Sequence, residues 1–126
     1  SAECLDFVEQ FAVLKSSPHY EKCLSTVANV SNKVGYSNPS VIDAALKNMI
    51  EDHDTNVVDG HEMHLREVQY SDDEIEYEVG LINAAKKQAI NLHVKCDEPN
   101  KFMFGIGHDS QVAKITCDVE KGIIAQ

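Results

Sequence analysis

In residues 3–14, ECLDFVEQFAVL, the apolar positions Cys4, Phe7, Val8, Phe11 and Leu14 recur at the spacing of one helical face. This predicts a first amphipathic helix. Ser16-Ser17-Pro18 follows with a capping serine and a proline that fits the first turn of a helix, where its missing N–H costs nothing. Tyr20, Cys23, Leu24, Val27, Val30 and Val34 continue at helical spacing, and Gly35 is placed to end a second helix. Asn38-Pro39 repeats the cap-then-proline signal ahead of Val41, Ile42, Ala45, Leu46, Met49 and Ile50, a third and stronger stripe.

After residue 52 the period falls from helical to two. Ile75, Tyr77, Val79 and Leu81 alternate with Glu76, Glu78 and Gly80, and Ile90, Leu92, Val94 and Cys96 alternate with Asn91, His93 and Lys95. Phe102, Phe104 and Ile106, then Ala113, Ile115, Cys117 and Val119, form two further alternations, and residues 61–70 form a weaker one. Turn signals stand between them at Ser71-Asp72-Asp73, Glu98-Pro99-Asn100 and Gly107-His108-Asp109-Ser110. The pattern predicts an α+β domain: three N-terminal helices packed on a four- to five-stranded antiparallel meander. One domain over residues 1–126 is expected, helical over about 3–52 and sheet over about 61–120.

Charge adds a feature that periodicity does not carry. The chain has a net charge of −10, and residues 51–78 alone hold eleven Asp or Glu against one basic residue, Arg66. The rest of the chain is balanced, with ten acidic and ten basic residues, so the acidity is local. Such a field repels phosphate backbones, which excludes nucleic acid as a partner. It points instead to a protein or cationic partner, met through Glu62, Glu67, Asp72, Asp73, Glu74, Glu76 and Glu78.

The four cysteines fix the expected compartment. Cys4 and Cys23 fall on helical apolar stripes, and Cys96 and Cys117 fall on the apolar faces of two strands. No CxxC is present, so a disulfide framework and a secreted protein are expected, with bridges within the helical part (Cys4–Cys23) and within the sheet (Cys96–Cys117). The first residues carry no basic, apolar leader, so the chain reads as one from which any signal peptide has been removed. No apolar run is long enough to span a membrane. Asn29-Val30-Ser31 is an acceptor sequence for N-glycosylation, which predicts a glycoprotein.

The densest cluster of metal-ligating side chains is EDHDTNVVDGHEMH, residues 51–64. Asp52, Asp54 and Asn56 begin an EF-hand spacing, but Val57 stands where its glycine is required and Met63 where its glutamate is required. An irregular divalent-metal site at Asp52, Asp54 and Asp59, or a transition-metal site at His61 and His64, is the remaining metal reading. The His61–His64 spacing serves a metal on a helix, where residues three apart share a face, and fails on a strand, where they diverge. No resident cofactor is expected. The chain shows no HExxH, no GxSxG and no glycine-rich phosphate loop, so catalytic residues are not assigned and a non-enzymatic binding protein is expected. Two alternatives accompany it: a carrier of small apolar ligands held between helices and sheet, and a metal-binding protein or metal-dependent enzyme.

Overall fold

The structure, a computed structural model, describes residues 4, 6–31, 39–51, 55–58, 60–71, 74–83, 85, 88–107 and 113–126. Its helices are α1 (Phe7–Lys15), α2 (Tyr20–Ser31) and α3 (Pro39–Glu51). Its strands are β1 (Thr55–Val58), β2 (His61–Ser71), β3 (Glu74–Asn83), β4 (Gln88–Glu98), β5 (Lys101–Ile106), β6 (Ala113–Asp118) and β7 (Gly122–Ala125). The α+β class is as the pattern predicts. The sheet is larger, with seven antiparallel strands in the order β1-β2-β3-β4-β5-β6-β7.

The two additional strands, β1 and β7, are the sheet edges and only four residues long each. So short a stretch completes barely two periods of alternation, so its strand character comes from the partner it pairs with. For β1 the missed signal was Asp59-Gly60. Val58 pairs with His61, leaving a two-residue connection, and Gly60 has φ +79°, the left-handed conformation such hairpin turns demand. The β6–β7 turn is similar in logic: Gly122 has φ +80°, and Asp118 Oδ1 accepts hydrogen bonds from the Glu120 and Lys121 amides at 2.8 and 3.0 Å.

The first helix begins later than its stripe suggests. Asp6 caps it by accepting from the Glu9 amide at 3.2 Å, so Cys4 precedes the helix instead of lying within it. Phe7, Phe11 and Leu14 are its buried face, while Val8 is exposed. Ser17 does not open α2 directly: its hydroxyl donates to the Val119 carbonyl at 2.7 Å and accepts from the His19 amide, tying the inter-helix turn to the end of β6. The expected continuation of α2 to Gly35 lies outside the described residues.

All three helices lie against one sheet face. α2 packs over β5, β6 and β7, and α3 over β1, β2 and β3. α1 reaches the middle of the sheet, where Phe7 meets Tyr77 (ring centroids 4.5 Å) and Phe102 (5.6 Å). Phe11 meets Phe102 edge-on at 5.4 Å. The inward residues Met63, Val79, Leu81, Leu92, Val94, Phe102, Phe104, Ile106 and Ile115 are all buried, as strand parity predicts.

The disulfides correct the expected pairing. Cys4 is bonded to Cys96 and Cys23 to Cys117, with Cα–Cα distances of 6.0 and 6.3 Å. Each bridge therefore joins the helical layer to the sheet instead of closing within one layer. The register explains why a sheet bridge cannot form: Cys96 and Cys117 both pair with Phe102, one from each side. They stand two strands apart, roughly 9.5 Å, beyond the Cα separation a disulfide accepts.

Candidate functional site

The described residues of the acidic segment 51–78 form the end of α3, β1, β2, the β1–β2 turn glycine Gly60 and the first half of β3. The β2–β3 register pairs Glu62 with Ile82, His64 with Gly80, Arg66 with Glu78 and Val68 with Glu76. Because alternate residues share a face, Glu62, His64, Glu76 and Glu78 all belong to the face opposite the helices. Glu62 and His64 are exposed and Glu76 and Glu78 are half-buried. His64 Nε2 lies 3.5 Å from Glu62 Oε2.

The remaining acidic residues of the expected surface are not all brought to this set. Glu67 pairs with Tyr77, one residue out of phase with it, and Glu74 pairs with Ser71 across an irregularity in the register. Asp72 and Asp73 lie outside the described residues, as do Asp52, Asp54 and Asp59 of the metal reading. His61 and His64 are both on β2, three residues apart, so they leave the strand on opposite faces. His61 is near the buried Asn83 amide at 3.5 Å, on the helix side, while His64 stands with Glu62. Among the described residues no group of three or more His, Cys, Asp or Glu is arranged to hold a metal ion.

The neighbouring strands add what sequence reasoning did not single out. On the same outer face, Glu76 pairs with Lys95 of β4, and Glu78 with His93 of β4, which pairs in turn with Gly105 of β5. Lys101 and Lys114 continue the face toward β6, where Lys101 pairs with Asp118 and lies 3.4 Å from Glu98 Oε2. His93 was legible as an outward residue, yet it is only 7% exposed. Its Nδ1 is 3.3 Å from Glu76 Oε1, and its Nε2 has no hydrogen-bond partner among the described residues. Strand parity tells which face a residue takes but not how deeply its neighbours cover it, so this burial had no sequence signal.

On the opposite face, the region between helices and sheet is filled by Phe7, Phe11, Phe102 and Tyr20 together with the aliphatic core. The Tyr20 hydroxyl donates to Asp43 Oδ1 at 3.2 Å, and burial, then the Asp43 charge, raises its pKa above the usual tyrosine range. Asn29 is exposed on α2, and Ser31, two residues on, is buried with its hydroxyl donating to the Val27 carbonyl. No described helix is long and apolar enough to cross a membrane. The chain matches no protein-family model, no curated protein and no solved structure.

Proposed function

We propose that this is a small secreted, non-enzymatic binding protein that engages a basic protein or other cationic partner through the outer face of its β2–β3 hairpin. One observation carries the reading. The single segment that holds the whole net charge supplies β2 and the first half of β3, whose register sets Glu62, Glu76 and Glu78, with Arg66 opposite Glu78, on the face away from the described helices. A sheet fixes the backbone positions from which these carboxylates project, which gives charge complementarity and fast encounter without a large apolar contact.

Secretion is supported by the two disulfides, since such bonds persist in oxidising compartments. Exposure of Asn29 on α2 supports its use as a glycosylation site, readable as a mass loss on deglycosylation of the natural protein. An apolar carrier would need space where the core aromatic rings now meet, so the outer face is the better-supported site.

The test is binding to immobilised polylysine over a salt series. Affinity should fall steeply from low salt to about 0.5 M, where the screening length is only a few ångströms, and Glu62→Gln with Glu78→Gln should weaken it further. Binding that ignores salt, or that survives both substitutions unchanged, would overturn the reading.

A further inference from the structure

His93 lies in the middle of β4, between Glu78 of β3 and Gly105 of β5, on the sheet face opposite the three described helices. Its side chain is only 9% exposed, and Nε2 is a buried nitrogen without a hydrogen-bond partner among the described residues. The other ring nitrogen, Nδ1, faces Glu76 Oε1 at 3.3 Å. A carboxylate can only accept, so Nδ1 holds the proton, and in the neutral ring Nε2 is left as an acceptor with an unused lone pair. Shielding an acceptor from water without giving it a donor costs the fold and returns nothing, so it calls for a reason beyond stability.

The surroundings state what kind of group would complete it. Gly80 and Gly105 contribute no side chain next to the ring, and the register places Glu76 and Glu78 from β3, Asn91 and Lys95 from β4 and Met103 from β5 around it among the described residues of this face. Glu78 and Met103 are half-buried and unbranched, so a change of rotamer moves them aside. Glu76, Glu78 and the imidazole lone pair share this face as acceptors. A guanidinium, which only donates and does so along several directions, matches that set in charge and in hydrogen-bond direction.

We propose that His93 Nε2 is the anchor of the acidic face, accepting a hydrogen bond from an arginine side chain of a basic partner protein while Glu76 and Glu78 balance its charge. The proposal rests on the acidic-face reading and adds the residue and the partner group. Replacing His93 by leucine removes the unpartnered nitrogen together with the Nδ1–Glu76 contact, two effects of opposite sign on stability, whereas its effect on partner binding is a loss.

The experiment titrates a hexa-arginine peptide at low salt into protein carrying ¹⁵N-labelled histidine, alongside His93→Leu and His93→Gln. The His93 Nε2 resonance should move along the binding curve. His93→Leu should bind about tenfold more weakly, and His93→Gln, which keeps an acceptor, within about threefold of the natural protein. If the peptide binds in a salt-dependent way while the His93 resonance stays still or His93→Leu binds normally, the anchor is wrong and the acidic-face reading stands. If the peptide does not bind at low salt at all, the acidic-face reading fails and the anchor falls with it. Should His93→Leu not fold, the resonance of the natural protein decides alone.

Discussion

Cys4, just ahead of the first helix, is bonded to Cys96 near the end of β4, so 92 residues of chain separate two sulfurs that share one bond. Cys23 and Cys117 span 94 residues in the same sense, from α2 to β6. Both bridges clamp the helical layer onto the sheet. In the chain-entropy model a loop of about 100 residues removes about 4.7 kcal/mol of unfolded-state freedom. Replacing Cys4 and Cys96 together by serine should therefore lower unfolding free energy by about 2–5 kcal/mol, measured by urea denaturation. A non-reducing peptide map should recover Cys4 linked to Cys96 and Cys23 linked to Cys117; a Cys96–Cys117 peptide would contradict the structure.

Phe11 is fully buried and touches rings from three elements: Phe7 at 5.7 Å, Tyr20 at 6.4 Å and Phe102 at 5.4 Å. Phe11→Ala would leave a cavity that a sheet on one side and two helices on the other cannot collapse. A loss of about 3–5 kcal/mol is expected by chemical denaturation, against under about 1.5 kcal/mol for the near-volume swap Phe11→Leu.

The Tyr20 hydroxyl is held protonated above its ordinary range, first by burial and then by Asp43. A raised folded-state pKa means the contribution to stability is complete below the unfolded tyrosine value of about 10 and is lost as pH rises beyond it. Unfolding free energy should thus fall on going from about pH 9 to about pH 11, and Tyr20→Phe should flatten that fall while costing about 1 kcal/mol for the lost hydrogen bond. An unchanged alkaline slope in Tyr20→Phe would refute the assignment.

Asp118 behaves in the opposite sense. The Lys121 amide, and after it the Glu120 amide, hold its carboxyl below the usual carboxylate range. Its contribution is present above the unfolded aspartate value of about 3.9 and is lost as pH falls below that toward its lower folded value. Asp118→Asn keeps the acceptor oxygen for the turn but cannot titrate, so its acid unfolding curve should be shallower below about pH 4 than that of the natural protein.

Much of this architecture was legible in residue spacing. The stripe Val41, Ile42, Ala45 and Leu46 is buried on α3 as its period requires, and Phe102, Phe104 and Ile106 all face the helices. The location of the charge was equally legible, since counting acidic residues along the chain needs no fold. The outer-face set Glu62, Glu76 and Glu78 needed the β2–β3 register, and Glu67 fell out of it for the same reason.

By itself the sequence determined which side of each element is apolar, that all four cysteines turn inward, and where the net charge lies. Periodicity encodes these because they depend only on how a helix or strand repeats. Only the tertiary structure decided that Cys4 meets Cys96 and Cys23 meets Cys117, that two four-residue edges complete the sheet, and that His93 is covered on an outward face. Each of these depends on which distant surfaces come together, and a repeat along one element holds no record of the element packed against it.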